Sequence, residues 1–298
     1  MASVPPTNEL ASRLRPPPPE RPELPDGVEP TSVVPRWKPI GVLFAFALGL
    51  AATLAGALLI GGIAVALGAD AKSLPPGVNV VLTLVQDAAF IGAALFIAST
   101  VARPEPWQFG LRGTPAGPFV GWILVAFFAF NVFGVIYGEL LDIGPQDELP
   151  DALGADNGTV ALVAAAFLVT VVAPFAEEFF FRGYVFGALR NWKGMWVGAV
   201  LTGLLFGAIH LGSTPDMLYI PLLAVFGFVL CLLYVKTRSL YSCIVLHAIN
   251  NSVAFAGTRD GWDWEIAVLL VSSLGTLALI ALLMSRFGGP GPRVFAPA

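Results

Sequence analysis

The sequence predicts an all-α, polytopic membrane bundle of about eight transmembrane helices, and three observations carry that prediction. The 298 residues are 56% hydrophobic and only 12% charged. The apolar residues gather in eight runs of roughly 18 residues or more with few charges, each long enough to cross a hydrocarbon layer. Lys and Arg fall on alternating sides of those runs. Because backbone in lipid must satisfy its own hydrogen bonds, runs this apolar form helices.

Residues 1–36, containing RLRPPPPERPELPDG, are rich in Pro and lack apolar periodicity. They read as a disordered or polyproline-type cytoplasmic tail. The first apolar run starts near residue 39 and is too long for a secretory signal. Spans are expected at about 39–69, 76–102, 116–138, 158–189, 194–213, 217–235, 239–257 and 264–285. They form one transmembrane domain over 37–286, followed by a short Gly/Pro tail at 287–298. The stretch 103–115 (RPEPWQFGLRGTP) is expected as a cytoplasmic loop, lying on the membrane surface through Trp107 and Phe109. The acidic stretch 139–157 is expected outside. No internal repeat is visible, which weighs against transporter folds built from inverted halves.

Charge sets the orientation. Arg13, Arg15, Arg21, Arg36 and Lys38 precede the first span; Arg103 and Arg112 follow the second, Arg190 and Lys193 the fourth, Lys236 and Arg238 the sixth, Arg286 and Arg293 the eighth. The opposite loops carry Asp70, Glu139, Asp142, Asp147, Glu148, Asp151, Asp156, Asp216, Asp260, Asp263 and Glu265, with Lys72 and Arg259 as exceptions. The positive-inside rule then places both termini in the cytoplasm. The net charge of −4 says little about partners, and no nucleic acid is expected. Cys231 and Cys243 lie within spans without CxxC spacing, as small apolar filler.

Ionisable residues inside such spans are costly and mark functional sites by default. Glu177, Glu178 and Arg182 (EEFFFR) lie on the fourth span. Glu178 and Arg182, spaced i, i+4, meet on one helix face and can brace the site, whereas Glu177 is rotated about 100° away. An unpaired carboxylate in a dry setting suits a general base. His210 ends FGAIH on the fifth span. In an antiparallel hairpin turning at RNWKG, Glu177 and His210 both lie roughly 25 Å from the turn and share a depth. His247 and Asn251 (HAINN) share a face of the seventh span, reachable in the same layer, while Asn250 points elsewhere. Asp87, beside Gln86 in the second span, has no spacing relation to test and is left as a neighbour of the cavity or a cation ligand. HExxH, GxSG near a histidine, GxGD, P-loop and Rossmann patterns are all absent from the sequence.

These residues resemble the CAAX-protease and bacteriocin-processing (Abi, or CPBP) intramembrane endopeptidases. That family's three signatures read here as Glu177-Glu178-Phe-Phe-Phe-Arg182, Phe206-Gly-Ala-Ile-His210 and His247-Ala-Ile-Asn-Asn251, in order, over about 170–255. Each is weak alone; together they are fairly specific. The resemblance implies an eight-helix protease in which Glu177 and His210 hold and activate a water. It implies that His247 and Asn251 stabilise the oxyanion, and that Glu178 with Arg182 shape the site. The implied substrate is a membrane-anchored or lipidated peptide or protein, such as a prenylated CAAX protein. A metal-free reaction is favoured; if zinc is used, Glu177, His210 and His247 would be its ligands. A bacterial plasma membrane is the expected location. The competing readings are a proton- or ion-coupled transporter using Glu177, Asp87 and the histidines, and a non-catalytic scaffold binding membrane peptides.

Overall fold

The computed structural model describes residues 35–142, 149–211, 217–259 and 261–287. Apart from Pro35, Arg36 and Phe287, the tails expected at 1–36 and 287–298 lie outside the described residues. The first helices are α1 (Pro39–Ala66), α2 (Pro76–Ser99) and α3 (Ala116–Leu141). Proline opens both α1 and α2, where its missing N–H would have no intrahelical partner anyway.

A single helical stretch, Thr159–Ala208, then runs for 50 residues. Its backbone leaves helical angles only at Lys193 and at Gly194, whose φ is +81°. A left-handed φ suits glycine, and the chain reverses there. The two arms are α4 (159–192) and α5 (195–208). They fold back on each other so closely that a Cβ on Gly198 would stand 2.8 Å from the Arg190 nitrogen. α6 (Tyr219–Thr237), α7 (Leu240–Gly257) and α8 (Glu265–Phe287) follow. Among the described residues seven continuous helical stretches are long and apolar enough to cross a membrane, and one of them is the α4–α5 hairpin. The eight expected spans correspond to these seven stretches once the hairpin is divided. The protein is a polytopic helical membrane protein.

α4 is not uniformly α-helical. It widens into π-helical turns at Leu168–Val172 and Phe179–Val185, on either side of Ala173–Glu178. Pro174 accounts for the first, because its ring cannot donate to the Thr170 carbonyl and crowds it. π turns recur at functional sites, since each adds a residue and redirects the side chains that follow.

The stretch 103–115 differs from expectation. Trp107 and Phe109 are 7% and 1% exposed, so they are buried in protein rather than spread on a membrane surface. Phe109 stacks on Phe179 at 4.7 Å and meets Trp37 at 5.0 Å. The loop is stitched to the α6–α7 turn: Arg112 donates to the Arg238 carbonyl at 2.6 Å, and Thr114 donates to that of Thr237 at 2.6 Å. Leu240 N–H donates to the Gly110 carbonyl at 2.7 Å. Non-helical backbone needs such partners, and the α6–α7 turn supplies them. Arg259, an exception to the charge pattern, is paired with Asp151 at 3.4 Å and with Asp156.

Candidate active site

The α4–α5 hairpin sets the level of the site. Phe181 and Phe206 touch across it at 5.1 Å. Glu177 lies four residues before Phe181 and His210 four after Phe206, so the antiparallel register brings both to one level. His210 lies just beyond the helix, in the turn after Ala208, whereas the sequence had placed it inside a span running to 213. Its Nδ1 lies 2.7 Å from the Phe206 carbonyl.

α4, α6 and α7 meet around Glu178 and Arg182, both 0% exposed. Arg182 Nη1 donates to Glu178 Oε1 at 2.7 Å, and its Nη2 donates to the Gly227 carbonyl at 3.0 Å. The guanidinium also sits 4.6 Å above the Phe206 ring. α6 can come this close because α5 presents glycine: a Cβ on Gly203 would lie 2.6 Å from the Ala224 oxygen, and one on Gly207 2.8 Å from the Ile220 oxygen. Small residues one turn apart are how membrane helices approach closely.

Glu178 Oε1 is shared. It also lies 2.7 Å from His247 Nδ1. A carboxylate oxygen only accepts, so chemistry assigns the proton to Nδ1, and the ring is held with Nε2 pointing away from Glu178. That Nε2 stands 3.9 Å from Glu177 Oε2. Phe206 and Phe226 wall the imidazole at 5.8 and 5.3 Å. Asn251 donates to the Val169 carbonyl at 3.0 Å, which ties α7 to the first π turn of α4. Its amide has a second N–H besides that one. Buried oxygens without a hydrogen-bond partner remain on Glu177 (Oε2) and Glu178 (Oε2). Acceptors of this kind suit a polar occupant such as water.

The structure thus brings Glu177, Glu178, Arg182 and His247 into contact distance. It puts His210 at their level and turns the Asn251 amide toward α4. Two roles were missed from sequence. Glu178 holds His247 as well as Arg182, which no spacing within one helix reveals. Phe206 touches Arg182, His210 and His247 together; its place in Phe-x-x-x-His was the available signal. Asn250 faces another way, lining a cavity of about 450 Å³ with Asn131 and Tyr219. Among the described residues no three His, Cys, Asp or Glu side chains converge as metal ligands.

One comparison with known families falls on the same segment. The family model described as Type II CAAX prenyl endopeptidase Rce1-like matches residues 159–253. Membrane-embedded CAAX protease MroQ of Staphylococcus aureus (strain USA300) is 31% identical over 170 residues, covering 54% of this chain and 67% of that protein. YdiL of Bacillus subtilis (strain 168) is 25% identical over 133 residues, covering 45% of this chain and 52% of its own length. The chain therefore spans about half to two thirds of these relatives. No solved structure matches it.

Proposed function

The chain belongs to the Rce1-like CAAX endopeptidase family, and from that premise we propose that it hydrolyses a peptide bond within a cell membrane. Its proposed substrate is a membrane-anchored or prenylated protein or peptide. The observation that carries this reading is the His247 ring, held through Nδ1 by Glu178 with its Nε2 facing Glu177 in a buried setting.

In the proposed reaction Glu177 and His210 hold a water. The water oxygen bonds to the substrate carbonyl carbon while one of its protons passes to Glu177. The carbonyl oxygen becomes an oxyanion facing His247 and Asn251. Glu177 then returns its proton to the amide nitrogen as the carbon–nitrogen bond breaks, leaving a carboxylic acid and an amine. For His247 to donate to the oxyanion, Nε2 must carry a proton. Donors preorganised where water is scarce act most strongly. Glu178 and Arg182 contribute by holding the ring, since an i, i+4 ion pair with no exposure has little freedom to move.

The test is cleavage of membrane-anchored and prenylated peptides by purified protein. Glu177→Ala and His210→Ala should each lower kcat at least about 100-fold, a typical loss for general base catalysis, with helical circular dichroism unchanged. Hydrolysis that survives both substitutions would refute the assignment. Activity that follows zinc content by elemental analysis, and disappears on chelation, would overturn the metal-free version.

A further inference from the structure

Asp87 is a buried acid that the proposed reaction leaves unused. It sits on α2, is 7% exposed, and its Oδ2 has no hydrogen-bond partner. An ionisable side chain inside a membrane-spanning helix is costly and marks a functional site by default.

Its position follows from ring packing. Phe90 of α2 meets Phe180 of α4 edge to face at 4.9 Å, and Phe46 of α1 closes on both, at 6.1 and 4.9 Å. α2 and α4 run in the same direction: near the start of α2, Asn79 donates to the carbonyl of Ala152, just ahead of α4, at 2.9 Å. A Cβ on Gly154 would likewise meet Pro76. In a parallel pair, stepping back equally on both helices preserves the neighbours. Three residues before Phe90 is Asp87, and three before Phe180 is Glu177. Residues three apart share a helix face, so the phenylalanine contact implies a carboxyl pair one turn away. Consistently, Asp87 lies within electrostatic reach of Glu177. Each carboxyl group keeps one buried oxygen without a partner.

We propose that Asp87 is a positioning residue of the catalytic centre, facing Glu177 and orienting its carboxyl group. The inference rests on the peptidase reading above. In that reading Glu177 has His247 on one side, and Asp87 closes the other from α2, holding the Glu177 carboxyl in place. Asp87 gains and loses no proton in the balanced reaction; it acts through the geometry of Glu177.

Two measurements test this. In the cleavage assay Asp87→Asn should lower kcat about 100-fold with KM within about twofold, the pattern of a group that acts in the transition state. Asp87→Glu should recover part of the loss. Melting temperatures of Asp87→Asn, Glu177→Gln and the double variant, measured in detergent, form a cycle that needs no activity. The two changes should be non-additive, because facing groups couple and distant ones do not. Additive melting shifts overturn the pairing. Coupling with an unchanged kcat overturns the catalytic role. If no peptide is cleaved by the unsubstituted protein, the peptidase reading fails and the catalytic role with it, while the melting cycle still decides whether Asp87 faces Glu177.

Discussion

α7 and α1 are the extremes of this bundle. In the most apolar stretch of each helix, 56% of α7 is buried inside the protein but only 11% of α1. α7 is also the least apolar of the spanning stretches. The same contrast separates the α4–α5 hairpin and α6, at 44% and 39%, from α2, α3 and α8, at 17% each. In water the most apolar helix would be the most buried. In lipid the solvent is as apolar as leucine, so apolar faces turn outward and polar groups are gathered where helices meet. Every residue of the signature motifs lies in the α4–α7 part of the bundle. From the outer layer, Phe46 of α1 and Phe90 of α2 reach Phe180 of α4, and Asp87 is the acid proposed to join the site from there.

The largest effect that would sharpen this contrast is at Arg182. Removing it leaves the buried Glu178 without its cationic partner and with only the His247 N–H, so Arg182→Ala should destabilise the protein by about 3–5 kcal/mol. The double change Glu178→Leu, Arg182→Met should restore most of that stability but not activity, because His247 loses the acceptor that orients it. Unfolding in mixed micelles and the cleavage assay measure the two separately. A single variant as stable as the parent would mean that the inner helices tolerate a lone charge.

Next is Phe109, which the sequence had placed on a membrane surface and the structure buries against Phe179 and Trp37. Phe109→Ala should cost about 3 kcal/mol, as for a core aromatic. A cost near zero would return the loop to the membrane surface. The smallest effect is expected in the outer layer. Leu58 on α1 is 69% exposed, facing the lipid side. Leu58→Ala should change stability by no more than about 0.5 kcal/mol. A loss comparable with that of Phe109→Ala would erase the distinction between the two layers.

Much of the site was legible because hydropathy leaves few polar residues to consider. With two histidines in the chain and three charges in one span, the candidates stood out. The common depth of Glu177 and His210 followed from the turn at Lys193 and Gly194, and the Phe181–Phe206 contact obeys the same register. Asp87 was visible but could not be placed. Its relation to Glu177 depends on which face of α2 meets α4, and only the Phe90–Phe180 contact decides that. The π turns of α4 were also hidden. Pro174 signals a distortion, but whether a helix answers with a kink or a widened turn depends on its neighbours.

By itself, the sequence determined how many apolar runs there are, roughly where each lies, and which polar side chains are confined among them. These properties follow from local hydropathy and helix period, which act within one segment at a time. Which segments lie inside the bundle, and that one oxygen of Glu178 serves both Arg182 and His247, were decided only by tertiary structure. Every helix here is apolar enough to face lipid or protein, so shape, the glycine-lined approach of α5 to α6, and the need to pair buried charge make that choice.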